Sequence, residues 1–265
     1  MKIEERQDHT VMNYRFNAKE TKDKIVKWIR EYFIQNSNCG RAVIGISGGK
    51  DSTVVAYLCA EALGPHNVIG VKMPQGKQYD IDMSDKVINE LDIIDYQINI
   101  GKIVDAFREE LFTAEIDASN SVVSNNIPPR IRMAVLYAVA AANNGRVANT
   151  SNCSECYIGW STKWGDGVGD FAPLANLTVA EVLAIGEELR IPADLLYKTP
   201  EDGLTGKSDE ENLGVTYEKL DKYIRTGDNS HLTYEEEKLI RQKYRLGLHK
   251  SDSVKLPTPP INTII

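Results

Sequence analysis

A strand, a glycine turn and a helix follow one another near residue 45, and this feature constrains the fold most. Residues 43–46 form an apolar, largely β-branched run, residues 47–49 read Ser-Gly-Gly, and the stretch 53–58 is apolar and helix-forming. This order directs backbone N–H groups and a helix N-terminus at a bound anion. Two adjacent glycines also let the backbone approach phosphate groups closely. The sequence therefore predicts a phosphate-binding loop between a strand and a helix.

Strands and helices alternate through the first half of the chain. Hydrophobic periodicity predicts strands at 42–46, 67–72 and 93–98, and helices at 17–36, 52–63, 80–91 and 101–112. Such alternation indicates an α/β fold, a doubly wound parallel sheet covered by helices. The glycine loop then lies at the carboxyl end of the first strand, where sheets of this kind bind ligands.

The second half of the chain is more helical. Pro128-Pro129 is expected to open a helix that runs to about residue 143 and is apolar nearly all round, which predicts burial, including burial between subunits. A strand at 145–150 and helices at 178–190, 216–226 and 233–245 follow. The stretch 201–214 has no periodicity and is rich in glycine and charge, as mobile lids over active sites often are. We expect residues 1–265 to form one domain with a helical C-terminal region.

Composition excludes several classes of function. The 265 residues are 42% hydrophobic and 26% charged, as in ordinary globular proteins. The net charge of −7 argues against a broad nucleic-acid-binding face. No apolar run reaches the roughly 18 residues of a membrane span, and the N-terminal residues have no signal-peptide core. We therefore expect a cytoplasmic protein that binds neither nucleic acid nor membrane.

The four cysteines, Cys39, Cys59, Cys153 and Cys156, suit reduced thiols in a reducing compartment. Cys153 and Cys156 form a Cys-x-x-Cys pair, but a tetrahedral zinc site needs a second pair with similar spacing, and the chain has none. A redox or cluster role for the pair stays open, and packing is the favoured interpretation.

Asp51 separates this loop from the Walker A type, which requires Gly-x-x-x-x-Gly-Lys-Ser/Thr. A carboxylate repels a neighbouring phosphate unless a divalent cation lies between them. The loop resembles the Ser-Gly-Gly-x-Asp-Ser loop of the ATP pyrophosphatases, which hold the pyrophosphate of ATP while a substrate is adenylated. Lys50 occupies the free position of that motif, so we expect it to be solvated and assign its side chain no catalytic role.

A second set of motifs narrows the resemblance to one family. Residues 162–167 read Thr-Lys-Trp-Gly-Asp-Gly and are followed by Asp170, while Arg130 and Arg132 open the proline-preceded helix. Downstream come Lys198-Thr-Pro200, residues 207–210 (Lys-Ser-Asp-Glu) and His249-Lys250. With the first loop, in this order along the chain, these blocks resemble ammonia-dependent NAD synthetase, a member of the adenine nucleotide alpha hydrolase-like, Rossmann-like superfamily.

The resemblance implies a ligase that amidates deamido-NAD with ammonia, consuming ATP through an acyl-adenylate and requiring Mg²⁺. It implies catalytic roles for Asp51, Glu155, Lys163 and Asp170, with Asp51 and Glu155 as the Mg²⁺ ligands. Deamido-NAD would be held by Arg130, Lys163, Asp170, His249 and Lys250. ATP would be held by Gly45, Ile46, Ser47, Gly48, Gly49, Lys50, Asp51, Ser52 and Thr150.

The chain departs from the family pattern at three places. Val179 stands where many members carry a lysine that contacts ATP, Glu201 where Ser or Thr is common, and Asn-Cys-Ser precedes Glu155 where Asp-His is common. No nitrilase-like domain precedes residue 1, so we expect no glutaminase activity and take free ammonia as the nitrogen source. The family fold is a homodimer with deamido-NAD at the subunit interface.

Two other functions share the first loop. A tRNA-modifying or sulfur-inserting ATP pyrophosphatase would need a basic RNA-binding face and catalytic or cluster cysteines, which the charge and cysteine spacing fit poorly. A non-catalytic adenine-nucleotide sensor would bind ATP without releasing AMP. Asp51 and Glu155 as metal ligands favour chemistry over sensing.

Overall fold

A four-stranded parallel sheet lies at the centre of the molecule. The structure, a computed structural model, describes residues 14–36, 40–77, 81–197, 209–251 and 256–261. The strand order is β3-β2-β1-β4, and every pairing is parallel. The strands are β1 (Arg41–Gly45), β2 (Val68–Lys72), β3 (Ile94–Gln97) and β4 (Gly145–Val147).

Helices follow the strands and cover the sheet on both faces. The N-terminal helices are α1 (Ala18–Gln35), α2 (Lys50–Leu63), α3 (Ile81–Leu91), α4 (Gly101–Thr113) and α5 (Ser121–Ala142). The remaining ones in the described residues are α6 (Cys153–Tyr157), α7 (Val179–Glu188), α8 (Ala193–Leu196), α9 (Asp209–Leu213), α10 (Tyr217–Thr226) and α11 (Tyr234–Ser251). The predicted doubly wound α/β class is confirmed.

The two faces of β1 lead into two separate apolar cores. Ala42 and Ile44 pack with residues of α1, α2 and α7, whereas Val43 packs with Val139 and Ala140 of α5. Alternation along a strand sends successive side chains to opposite faces, so the three central residues of β1, which are buried on both sides, are all apolar. This burial fixes β1 and the loop that leaves it.

The helix predicted to open at Pro128 begins at Ser121 instead and carries both prolines inside it. Asn120 caps its start, because the Asn120 side chain accepts a hydrogen bond from the Val122 amide at 2.8 Å. Ile127 packs against Ile100 and Val104, which holds the turn before the prolines in helical form. Tertiary packing here overrides the local helix-start signal.

The sequence predicted that α5 is buried nearly all round, but the single chain buries only one side of it. Only Ile127, Pro128, Val139 and Ala140 of α5 are buried among the described residues. One side of α5 packs against β1 and β4, and the remaining apolar side chains are half-buried or exposed. Most of the expected lid, residues 201–208 of 201–214, lies outside the described residues. Cys39, Glu201 and the 198–200 motif lie outside them too. Among the described residues, no helix combines the length and apolarity needed to cross a bilayer.

Candidate active site

The candidate site lies where the order of the strands reverses. From β1 the chain proceeds to β2 and β3 on one side, whereas β4 pairs with the other side of β1. The loops leaving β1 and β4 therefore diverge at their carboxyl ends and leave a crevice, the usual ligand position in open α/β sheets. The glycine loop leaves β1, and half-buried Thr150 and the start of α6 lie beyond β4.

Glycine is required at position 48 of the loop. Gly48 has φ +78°, and a Cβ there would lie 2.9 Å from the Cβ of Met83. Gly49 is the N-cap of α2 and has no side chain with which to satisfy the first helical amides. Gly45 ends β1, where an added Cβ would approach Met73 at 3.1 Å. The loop is thus a tight glycine turn between β1 and α2, at the N-terminus of a helix.

Two serine hydroxyls brace this loop. The Oγ atoms of Ser47 and Ser52 lie 3.2 Å apart. Ser47 Oγ accepts a hydrogen bond from the Gly49 amide at 3.2 Å, and Ser52 Oγ lies 3.1 Å from the Gly49 carbonyl oxygen, to which it donates. Ile46, the residue between strand and turn, is buried and its carbonyl accepts from Ser84 Oγ at 3.0 Å. These contacts hold the loop in shape.

Asn152 joins Asp51 and Glu155, the two residues that the sequence singled out as metal ligands. Its Nδ2 donates to Asp51 Oδ1 at 3.0 Å, and its Oδ1 accepts from the Glu155 amide at 3.0 Å. The backbone amide of Asn152 in turn lies 3.5 Å from Glu155 Oε2, which completes a capping box on α6. Asn152 is fully buried. One side chain therefore ties the start of α2 to the start of α6.

The side chains of Asp51 and Glu155 are of the type that binds Mg²⁺. Asp51 and Glu155 offer carboxylate oxygens, the hard ligands that Mg²⁺ prefers. Within the described ranges no group of three or more His, Cys, Asp or Glu residues could form a complete metal cage. Mg²⁺ at nucleotide sites is commonly held by one or two carboxylates together with phosphates and water, so a pair of carboxylates beside a phosphate loop is the appropriate protein contribution.

Lys50 is not solvated, which corrects the sequence prediction. It is the first residue of α2, is only 7% exposed, and its Nζ lies 2.9 Å from Asp51 Oδ2. The Tyr217 ring lies beneath the ammonium group, with 5.6 Å from Nζ to the ring centroid. The sequence predicted a solvated Lys50 because α10, which carries Tyr217, is remote in sequence from the loop.

Three of the five predicted deamido-NAD residues are linked by hydrogen bonds, and a fourth, Lys250, bonds to the loop after α6. Arg130 Nε donates to the Lys163 carbonyl at 3.3 Å, and Lys163 Nζ donates to the His249 carbonyl at 2.7 Å. Lys250 Nζ donates to the carbonyls of Gly159 and Ser161, both at 2.7 Å. The start of α5, the loop after α6 and the end of α11 thus converge on one basic region.

The charges in this region influence one another. Partial burial lowers the pKa of the Lys250 ammonium, and the nearby Asp166 carboxylate opposes that shift. Desolvation by the surrounding loop raises the pKa of Asp166, although solvent still reaches its side chain. Trp164, in the same loop, is 49% exposed and has φ +62°, a conformation rare outside glycine. The loop 162–167 therefore has a specific backbone conformation.

Asp170 has different partners from the other four. Its Oδ2 accepts from the Val147 amide at 2.8 Å, and its own amide donates to the Val147 carbonyl at 2.7 Å. Its carboxylate also hydrogen-bonds Tyr137 of α5; burial, and then this carboxylate, raise the pKa of Tyr137 to about 12. Asp170 thus extends the pairing at the end of β4 and lies at the sheet edge of the crevice.

Two glycines bring α11 against the loop after α6. A Cβ on Gly159 would lie 2.6 Å from Gly247 Cα, and a Cβ on Gly247 would lie 2.8 Å from Gly159 Cα. The two backbones therefore touch directly, and no side chain larger than hydrogen fits between them. This contact brings the end of α11, with His249 and Lys250, to the basic region.

A buried polar network supports α6 from behind. Ser154 Oγ donates to Asp221 Oδ1 and accepts from the Val179 amide at 3.1 Å, while Asp221 Oδ2 accepts from the Ala180 amide at 2.8 Å. Burial raises the pKa of Asp221. Val179 itself packs into the apolar cluster that contains Ile158 and Leu220.

Cys153 and Cys156 are both free; Cys153 is half-buried and Cys156 is exposed. Desolvation raises the pKa of both thiols, which disfavours the thiolate, the form that acts as nucleophile and metal ligand.

Comparisons with known proteins agree with this geometry. The family model described as NAD synthase matches residues 21–252. The chain belongs to the NAD synthase family. An NH(3)-dependent NAD(+) synthetase from Thermococcus sibiricus is 42% identical over 202 residues, which cover 76% of this chain and 78% of that protein.

Solved structures in the family share the fold. The structure of NMN synthetase from Francisella tularensis has a TM-score of 0.81 and 32% identity, covering 92% of this chain and 99% of the other. The NH3-dependent NAD synthetase from Campylobacter jejuni, solved with a nitrate ion, has a TM-score of 0.75 and 26% identity, covering 91% and 99%. The resemblance drawn from the motifs is confirmed at the level of the family.

Sequence reasoning missed Asn152, Asp221 and Gly247. Asn152 was visible as an N-cap three residues before Glu155, which is the capping-box signature, but its bond to Asp51 joins loops about 100 residues apart. Asp221 and Gly247 leave no local signal, because their partners lie on other elements.

Proposed function

We propose that this chain is an ammonia-dependent NAD synthetase that amidates deamido-NAD, with ATP converted to AMP and pyrophosphate. The observation that carries the proposal is the Asp51–Asn152–Glu155 connection beside the glycine loop, in a chain of the NAD synthase family. Residues 1–265 act as one such domain, with 201–214 as the proposed lid.

Activation of the carboxylate is the first task of the site. A carboxylate oxygen of the nicotinate group attacks the α-phosphorus of ATP, the bond to the β-phosphate oxygen breaks, and pyrophosphate leaves. The glycine loop and the α2 N-terminus stabilise the charge that develops on the phosphate oxygens. Asp51 and Glu155 would hold Mg²⁺, which supplies further neutralisation of that charge when bound.

Amide formation completes the reaction. Ammonia attacks the acyl carbon of the adenylate, a proton leaves the nitrogen, and the bond to AMP breaks to give the amide. No protein nucleophile is needed, so Ser47 and Ser52 act as loop braces and phosphate donors. Arg130, Lys163, His249 and Lys250 offer cationic groups for the phosphates of the dinucleotide, with Asp170 at the sheet edge of the same crevice.

The test is to incubate the purified protein with ATP, Mg²⁺, deamido-NAD and ammonium while following NAD and AMP together. We expect equal amounts of both products, and no NAD when glutamine replaces ammonium. AMP without NAD would retain ATP pyrophosphatase chemistry with another substrate. ATP binding without either product would overturn the proposal in favour of a nucleotide sensor.

A second candidate differs in substrate. The Francisella tularensis structure is named as an NMN synthetase, and the carboxylate precursor of that mononucleotide amide is nicotinate mononucleotide. The chemistry at the phosphate loop would be the same, while the adenylate half of the dinucleotide would make no contact. Comparing kcat/KM for deamido-NAD and nicotinate mononucleotide on one enzyme preparation separates the two candidates.

We also propose a cytoplasmic homodimer. The α4 and α5 side of the chain exposes large apolar side chains, including Ile103 (43% exposed), Phe107 (47%), Phe112 (79%) and Val122 (71%). An exposed apolar patch of this kind is typical of an interface between protein chains. Because α5 also carries Arg130, a partner seated there would lie next to the deamido-NAD region.

A further inference from the structure

Ser84 is a buried hydroxyl that the proposed reaction does not use. It lies in the first turn of α3 and is 1% exposed. Its Oγ donates to the Ile46 carbonyl at 3.0 Å. Ile46 follows the last residue of β1 and precedes the glycine turn, so this bond joins α3 to the point where the chain leaves the sheet.

The bond fixes the orientation of the peptide group between Ile46 and Ser47. A trans peptide group is planar, and its C=O and N–H point in opposite directions. Because the carbonyl is turned to Ser84, the Ser47 N–H points away from α3, and it donates to Ser52 Oγ at 3.4 Å. Ser52 lies in the first turn of α2. The Ser47 N–H is therefore directed to the side of the helix N-terminus, where an anion would bind.

The first turn of α3 is itself held against the loop. A Cβ at Gly48 would lie 2.9 Å from the Met83 Cβ and 3.2 Å from the Ser84 backbone nitrogen, so the glycine turn and the helix are in direct contact. The next residue of α3, Asp85, pairs with Lys72 at the end of β2. Asp85 Oδ1 and Lys72 Nζ are 2.5 Å apart, and the Lys72 side chain is only 10% exposed. A backbone contact and a partly buried ion pair thus keep the Ser84 hydroxyl in place.

Loss of the hydroxyl would take this donor away from a carbonyl in a buried position. Ile46 is 3% exposed, and a buried carbonyl without a partner is costly. Rotation of the peptide group toward another donor would relieve that cost, but it would also turn the Ser47 N–H away from α2. The direction of one amide of the glycine turn therefore depends on a side chain of α3.

We propose that Ser84 is a positioning residue: its hydroxyl holds the Ile46–Ser47 peptide group in the orientation in which the Ser47 N–H can bind a phosphate of ATP. The inference rests on the proposed function in taking the glycine turn as the phosphate site. It assigns Ser84 no contact with the nucleotide. Loss of the hydroxyl should weaken ATP binding and leave deamido-NAD, held by the basic region, unaffected.

The test compares Ser84→Ala, Ser84→Thr and the exposed control Ser230→Ala. ATP is titrated by calorimetry in excess Mg²⁺, and KM for deamido-NAD is measured at saturating ATP. For Ser84→Ala we expect about fivefold weaker ATP binding, the ratio that corresponds to one hydrogen bond, with an unchanged KM for deamido-NAD. Ser84→Thr keeps the hydroxyl and should restore most of the ATP affinity. Ser230→Ala should match wild type in both measurements.

A second measurement monitors the peptide group directly. In protein labelled with ¹⁵N-serine, the amide resonance of Ser47 is identified by its absence in Ser47→Ala. We expect ATP to shift this resonance less in Ser84→Ala than in wild type. If the additional methyl group prevents Ser84→Thr from folding, the resonance in Ser84→Ala still tests the orientation, because alanine is well tolerated in a helix.

Two results would overturn the inference. Unchanged ATP affinity in Ser84→Ala, with a wild-type response of the Ser47 resonance, would show that the peptide group keeps its orientation without the hydroxyl. Equal losses for ATP and deamido-NAD, with a lower melting temperature, would show a general structural role. The ATP titration needs no turnover, so its outcome is independent of whether the wild-type protein forms NAD. Failure of this inference is therefore distinguishable from failure of the proposed function.

Discussion

Asp51 is the residue whose removal tests the metal assignment most directly. Its carboxylate lies between the Lys50 ammonium and the Asn152 amide, at the second position of α2. Replacing it with alanine removes a preorganised charge that acts on the developing phosphate charge. We expect Asp51→Ala to lower turnover by about 10²-fold or more without unfolding the chain. Near-normal turnover would rule out the metal role.

The measurement is steady-state NAD formation at saturating Mg²⁺, paired with thermal unfolding of the same sample. Asp23→Ala is the matched control, because the Asp23 side chain is 56% exposed on α1, away from the crevice. It should retain wild-type turnover.

Asn152 is predicted to act through the two carboxylates that it contacts. Asn152→Ala removes the bond to the Asp51 carboxylate and the side-chain cap of α6, so Asp51 loses an orienting donor and the helix start that carries Glu155 is weakened. The backbone bond from residue 152 to Glu155 Oε2 remains. Groups that orient metal ligands typically contribute 10–100-fold to metal affinity, so we expect the Mg²⁺ concentration for half-maximal rate to rise about tenfold. Turnover at saturating Mg²⁺ should fall less.

Asn67→Ala is the control for this titration, because Asn67 is exposed and its Nδ2 donates to the nearby Leu63 carbonyl. Equal losses at low and saturating Mg²⁺ would indicate a general structural defect and contradict the orienting role.

At the scale of secondary-structure elements, the contact between α11 and the loop at Gly159 positions the basic region. Gly247→Ala places a Cβ 2.8 Å from Gly159 Cα, which forces the two backbones apart. His249 and Lys250 then shift relative to Lys163. We expect KM for deamido-NAD to rise about tenfold while KM for ATP changes little, because only the dinucleotide contacts move.

Gly40→Ala serves as the comparison, since a Cβ at Gly40 would meet no atom within 4 Å. A Gly247→Ala enzyme with an unchanged KM for deamido-NAD would show that the end of α11 does not hold the substrate.

The pairing of α7 with α10 makes a prediction about stability. Arg225 and Glu181 are both buried; Arg225 Nε donates to Glu181 Oε1 at 2.7 Å, and Arg225 also donates to the Asn176 carbonyl at 2.6 Å. Arg225→Met leaves the Glu181 carboxylate buried and unpaired. Urea unfolding should show a loss of about 3–5 kcal/mol.

The double variant Arg225→Met, Glu181→Leu removes both charges and should recover much of that loss. Additive losses in the double variant would contradict the explanation by an unpaired charge.

At the scale of the whole molecule, the exposed apolar side formed by α4 and α5 predicts assembly. Phe112→Glu combined with Phe107→Glu introduces charges that would have to be buried in an interface, so we expect the dimer to dissociate into monomers with intact secondary structure. Light scattering coupled to size exclusion measures the mass. Ile34→Glu, at a 72% exposed apolar residue of α1, should remain dimeric. A wild-type monomer would contradict the assembly.

Local signals in the sequence determined the fold class and the glycine turn after β1. A buried parallel strand is apolar throughout, a helix has a period of 3.6 residues, and a turn with φ +78° requires glycine. These properties belong to neighbouring residues, so the strands at β1, β2 and β3 and the turn at Gly48 were predicted within one or two residues.

Contacts between distant segments were decided only by the tertiary structure. The burial of Lys50 depends on α10, the link from Asp51 to Glu155 depends on Asn152, and the seat of Lys250 depends on two glycines that are far apart in sequence. The continuation of α5 before its prolines likewise depends on packing against α4. Periodicity and spacing predict whether a segment is a strand, a helix or a turn. The partner of a side chain depends on how the segments pack together.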